Sequence, residues 1–185
     1  MAKSTISTFQ LFERFPTQES ARVYFEQRLW PVGPVCPVCK GQAGVVSTKR
    51  IGYYRCNPCR EVFTVRTGTV MERSHIPLHK WLYAMYLLVT ARKGISSFQL
   101  AKQIGVTQKS AWFMLHRLRE SVWAVLKRGL MGVYHHASPK HLPRYVDEFT
   151  FRLNEGNVKI HTLDRLDSFV DGMADKRLTY ARLIH

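Results

Sequence analysis

Cys36, Cys39, Cys56 and Cys59 are the only cysteines in this 185-residue chain, and they form two Cys-x2-Cys pairs with sixteen residues between them. Thiolates at that spacing are metal ligands. Each pair sits on a tight knuckle that aims two sulfurs at one point, and two knuckles complete the tetrahedron that zinc prefers. Pro37 and Gly41 are expected to shape the first knuckle, and Pro58 lies inside the second. A closed shell of four sulfurs leaves no position for a substrate, so the expected zinc is structural. The competing readings are a redox Cys-x-x-Cys pair and an iron–sulfur site.

The elements that must position these sulfurs follow from the residues between and after them. "AGVVSTKRIGYYRC" reads as two strands about a turn near Lys49 and Arg50, and "EVFTVRTG" as a third. Before the ribbon, Thr17 is a candidate N-cap for a short lead-in helix. It carries Ala21, Tyr24, Phe25 and Leu29 at helical spacing and ends before Pro31. Beyond the ribbon, "IPLHKWLYAMYLLVTARKG" predicts a buried helix with Pro77 near its start, Arg92, Lys93 and Gly94 at its end, and Trp81, Tyr83 and Tyr86 as core aromatics.

A second kind of chemistry is carried by "SSFQLAKQIGVTQKSAWFMLHRLRE". Ser96 or Ser97 caps a helix through Ile104, Gly105 permits a tight turn, and Thr107 caps a second helix. Leu100, Ala101, Ile104, Val106, Ala111, Leu115 and Leu118 would pack the pair together. That leaves Gln108, Lys109, Ser110, Trp112 and Arg117 as the expected DNA-binding residues of a helix-turn-helix. An ordinary helical hairpin with solvated polar residues is the bland alternative. The balance of 28 Lys+Arg against 13 Asp+Glu, a net charge of +15, favours a polyanionic partner over it.

Ala111, Leu115, Leu118, Val122 and Val125 extend the apolar seam, so the second helix is expected to run unbroken from about Thr107 to Lys127. Such a seam requires either the tail segment "KHLPRYVDEFTFRLN" or a second copy of the chain. In the tail, His135, His136 and His141 lack ligand-spaced partners and predict no second metal. The last 26 residues read as one short helix with a polar end, and Asp164, Asp167 and Asp171 as solvated. No apolar run reaches the roughly 18 residues of a membrane span, and the amino end lacks the apolar core of a secretory signal. The expected location is the cytoplasm, at the nucleoid, with no membrane partner.

The order of lead-in helix, cysteine ribbon, "FTVRTGTVMERSHIPLHKWLYAMYLL" and helix-turn-helix resembles the amino-terminal half of bacterial insertion-sequence transposases. These join a zinc ribbon to a DDE-type, ribonuclease-H-like nuclease domain. The stretch "ESVWAVLKRGLMGVYHHASPKHLPRYVDEFTFRLN" resembles the end of the same family. The resemblance implies two catalytic aspartates well before a late carboxylate. By position Glu120 stands at that late carboxylate and Lys127 at the family's downstream Lys/Arg, but the first aspartate of this chain is Asp147. Two-metal phosphodiester chemistry needs several converging carboxylates, so Glu120 and Lys127 are read as remnant positions, and Mg2+ as a cofactor only if nuclease function survives.

The expected fold is therefore mainly α with a small β zinc ribbon. Its expected divisions are a lead-in segment (1–33), the ribbon (34–70), a helix-turn-helix region (75–119) and a remnant of the carboxy-terminal transposase region (120–185). The expected function is binding of double-stranded DNA at element terminal repeats by an internally truncated protein unable to catalyse transposition, as a homodimer or with full-length transposase. The alternative is a component of transposition whose partner supplies the nuclease; a weaker one is a remnant that does not fold stably as a whole.

Overall fold

Ser7 and Gln10 form a reciprocal capping box that starts α1 (Thr8–Arg14), and Thr17 and Ser20 do the same for α2 (Gln18–Leu29). The computed structural model describes residues 6–91, 95–133 and 161–171. Thr17 is the cap that the sequence predicts, whereas α1 is an additional helix. It lies on the later helices through Leu11, a Phe12–Tyr83 ring contact of 4.6 Å and a 2.8 Å hydrogen bond from the Tyr86 hydroxyl to the Ile6 carbonyl.

Three short strands follow, β1 (Val45–Ser47), β2 (Tyr54–Cys56) and β3 (Val62–Phe63), in an antiparallel sheet of order β1-β2-β3. The register pairs Val46 with Arg55 and Arg55 with Val62. The third strand is shorter than predicted. After Phe63 the chain folds into turns, in which the Thr67 amide donates to the Thr64 carbonyl and the Thr64 amide to Thr67 Oγ1.

Helix α3 (Leu78–Thr90) begins at Pro77 and buries Trp81, Tyr83 and Tyr86 as predicted; Arg92, Lys93 and Gly94 lie outside the described residues. Helix α4 (Ser97–Ile104) is capped by Ser96 rather than Ser97, again with a capping box, here to Gln99. Helix α5 (Gln108–Val133) starts at Thr107, whose Oγ1 accepts from the Ser110 amide at 3.2 Å. It runs unbroken across 119/120, where the sequence predicted a domain boundary; from 121 onward it is described by its backbone alone. Its first apolar positions, Ala111, Met114, Leu115 and Leu118, are buried, and α5 packs against α3 and α4. That part of the seam is occupied within the chain. The side chains of Val122 and Val125, the segment 134–160 with its three histidines, and the remainder of the tail lie outside the described residues.

Helix α6 (Thr162–Asp171) is the tail helix that the sequence predicts, but it is not a solvated element. It packs on α2 and α3, burying Leu166 and Val170 in the core shared with α1 to α5. The Tyr24 hydroxyl donates to Asp167, and Arg28 pairs with Asp171 at 2.6 Å. The reading of these two aspartates as purely solvated is corrected. Both lie on the flank of α6 that meets α2, and burial followed by the Asp167 hydrogen bond pushes the Tyr24 phenol above its ordinary range.

Candidate metal centre and nucleic-acid interface

The two knuckles are built alike. The Lys40 amide donates to the Cys36 carbonyl at 2.9 Å and the Cys36 amide to the Gly41 carbonyl at 3.0 Å, while the Cys56 amide donates to the Glu61 carbonyl at 2.9 Å. The residue after each pair takes a left-handed backbone, Lys40 at φ 58° and Arg60 at φ 59°. The bend expected at Gly41 thus falls one residue earlier, and Gly41 contributes hydrogen bonds instead. Gly44 does need to be glycine. Its φ is +76°, and a Cβ there would lie 3.0 Å from Pro58 Cδ, so its absence lets the knuckles close on one another.

The four Sγ atoms all lie within 4.8 Å of one another, with Cys36 and Cys56 buried, Cys59 half-buried and Cys39 exposed. A tetrahedral ion with metal–sulfur bonds of about 2.3 Å sets sulfurs about 3.8 Å apart. Cys39 Sγ and Cys56 Sγ are 3.7 Å apart, so the donor set fits such an ion. The Gly41 amide, then Cys59 and Cys36, hydrogen-bond the Cys39 sulfur and bring its thiol down to about 7. Cys59, facing that sulfur and partly desolvated, is pushed up to about 12. Crowding lets one thiol ionise readily and holds back its neighbour; a divalent cation removes that opposition. Among the described residues this is the one cluster of His, Cys, Asp or Glu with metal-ligating geometry.

The ribbon is fastened to α2. Trp30, at the end of that helix, stands edge-on to Tyr54 and Phe63, with centroids 5.4 and 5.7 Å away, and the Tyr54 hydroxyl donates to Glu26 at 2.9 Å.

At the other candidate site three residues separate α4 from α5. Gly105 is left-handed at φ 62°, and the Val106 amide reaches back to the Ala101 carbonyl at 3.1 Å, closing the end of α4. From α3, Lys80 Nζ donates to the Gly105 carbonyl at 2.9 Å and holds the turn. Lys109 is exposed at the start of α5, and Trp112 is 38% exposed with its ring 4.0 Å from that of His116. Gln108 is exposed, but its amide donates to Ser97 Oγ at 3.1 Å; Ser110 is half-buried, with its hydroxyl bonded to that of Thr107.

Arg117 is a correction. It is 6% exposed and points inward, donating to the carbonyls of Val70 at 2.9 Å and Glu72 at 2.7 Å, with its guanidinium 4.2 Å from the Phe113 ring. It lies three residues after buried Met114 and one before buried Leu118, which sets it on the flank of the apolar stripe. Burial pushes its pKa below the ordinary arginine range. Helical spacing carried that signal, and the same spacing would have found His116, one turn after Trp112. Glu120 is exposed on α5, and the side chain of Lys127 lies outside the described residues.

The transposase zinc-ribbon domain family matches residues 16–62, from just before α2 to the first residue of β3. The ISXO2-like transposase domain matches residues 101–154, beginning within α4 and covering α5. A relative from Halobacterium salinarum, described as an uncharacterized protein in transposable element ISH50, is 31% identical over 109 residues, 56% of this chain. The chain spans 35% of that relative's length. No solved structure matches the chain. No helix among the described residues is long and apolar enough to cross a membrane. Ribbon, cysteine quartet and both domain matches agree in likening this chain to the insertion-sequence transposases that set a zinc ribbon ahead of a DDE-type domain.

Proposed function

We propose that the protein binds duplex DNA at the ends of an insertion sequence through α4, its turn and α5, with a structural zinc on Cys36, Cys39, Cys56 and Cys59, and that it does not itself cut or join DNA. The observation that carries the binding half is the three-residue turn at left-handed Gly105, which presents Lys109 and Trp112 at the start of an exposed helix face. Zinc suits the site because four thiolates supply its tetrahedral shell, and when bound it cross-links the knuckles. The protein would work in the cytoplasm at the nucleoid, alone, as a dimer or beside an intact transposase.

The catalytic half of the proposal rests on the carboxylates. No aspartate precedes Asp147. Asp167 and Asp171 on α6 are engaged with Tyr24 and Arg28 of α2, while Glu120 stands exposed on α5. In-line attack on a phosphodiester requires two ions held by several fixed carboxylates, and among the described residues no carboxylate cluster of that kind is present.

The test is titration of a labelled terminal-repeat duplex with zinc-loaded protein, followed by incubation with Mg2+ or Mn2+. Binding weakened by Lys109→Ala and unaffected by Glu120→Gln, with the duplex left uncut, is expected. Metal-dependent cleavage that copurifies with the protein and vanishes in Glu120→Gln would overturn the catalytic half. Binding indifferent to Lys109→Ala at every salt concentration would overturn the choice of surface.

A further inference from the structure

Two groups stand out among the described cations. One group is engaged inside the fold: Arg22 with Glu19 and Glu26, Arg28 with Asp171, Arg66 with the carbonyls of Ser74 and Ile76, Arg117 with those of Val70 and Glu72, and Arg119 with that of Ile95. The other group stands on the ribbon. Lys49, Arg50, Arg55 and Arg60 are all exposed, and none has an ion-pair partner among the described residues. From 34 to 63 the chain has a single acid, Glu61.

Their placement is directional. Tyr54, Cys56 and Phe63 turn one face of the sheet toward Trp30 and the core. Val46, Arg55 and Val62, in register across the three strands, form the opposite face, where the valines are 46% and 54% exposed. Lys49, Arg50 and exposed Ile51 make the hairpin tip at one end of this face, and Arg60 lies in the second knuckle at the other. Among the described residues, the non-glycine positions with positive φ are Lys40, Arg60 and Arg73, each a long cation. A left-handed backbone costs such a residue roughly 1 kcal/mol that glycine avoids.

We propose that the outer face of the ribbon is a second duplex-DNA contact, in which Lys49, Arg50, Arg55 and Arg60 meet phosphates of the backbone. The proposal rests on the DNA-binding reading above and adds a second site to it. Charge complementarity selects the partner: four exposed cations without an ion-pair partner among the described residues, one of them Arg50 lying over the Tyr53 ring at 4.2 Å, with a single acid beside them, suit a polyanion. The two contacts would keep a fixed relation. The segment between ribbon and α3 buries Val65, Val70 and Met71 in the main core and is held by Arg66, by Arg117 from α5 and by a 3.1 Å hydrogen bond from Trp81 Nε1 to Ser74 Oγ.

The experiment measures binding of the zinc-loaded full chain to a fluorescein-labelled mixed-sequence duplex across a salt series. In the variant Lys49→Gln/Arg50→Gln/Arg55→Gln/Arg60→Gln the slope of log K against log salt should fall by about 3 to 4, since each neutralised phosphate contributes about 0.9. Zinc content is measured in parallel. The tip pair Lys49→Gln/Arg50→Gln, set away from the cysteines, should lower the slope by about 2 and keeps the proposal testable if the larger variant loses metal. Loss of slope in the ribbon variants with none in Lys109→Ala would support the ribbon site and refute the α5 surface. Loss in Lys109→Ala with unchanged slope in the ribbon variants would refute the ribbon site alone. Unchanged slope with an altered sedimentation mass would refute it too, and assign the face to a protein contact.

Discussion

Arg117→Ala separates an inward structural arginine from a DNA-contacting one. The guanidinium is nearly inaccessible and serves two main-chain carbonyls, Val70 and Glu72, in a segment 45 to 47 residues away in sequence. Removing it leaves two buried or half-buried acceptors without their donor, at ~1–3 kcal/mol each. The desolvation cost carried by the buried cation is recovered, which offsets part of that loss. The net expectation is a destabilisation of about 3 kcal/mol, or roughly 6–12 °C in Tm for a domain of this size. Arg117→Lys keeps the charge but reaches one carbonyl at a time, and should lose about half as much. Thermal unfolding of the zinc-loaded variants followed by circular dichroism reads the shift, and DNA affinity measured well below the lowered Tm should be unchanged. A variant that melts with the parent but binds DNA with its salt slope reduced by about 1 would refute the reasoning.

Cys39→Ser should abolish binding of the single zinc, because folding of so small a ribbon is coupled to its metal. Residues from about Cys36 to Thr69 should then lose amide-exchange protection, and a variant that keeps both metal and protection would remove the metal assignment. Leu166→Ala, at a fully buried position between α6 and the α2–α3 pair, should destabilise by ~2–5 kcal/mol in denaturant titration. Asp171→Asn, which breaks an exposed ion pair, should cost less than ~1 kcal/mol. Equal effects of the two would mean that α6 is not part of the core.

What could be read from the sequence is what is decided within a few residues. Thr17, Ser96 and Thr107 cap helices by bonding an amide three positions on, and Gly105 takes the left-handed turn its neighbours require, so each was legible locally. The cysteine spacing encodes the metal cluster in the same way. Arg117 was misread because its acceptors lie 45 to 47 residues back, and Asp167 because the hydroxyl it accepts from is 143 residues away. No window on the sequence holds both partners of such a bond. The same limit applies to the charge. A surplus of +15 points to a polyanion, but it counts Arg28, Arg66 and Arg117 alongside Arg55 and Arg60. The first three are engaged by the fold, and only with them subtracted do the cations free to meet phosphate stand out, on the tip and outer face of the ribbon and at the start of α5. Net charge thus points to a kind of partner, while long-range hydrogen bonds decide which cations are left to receive one.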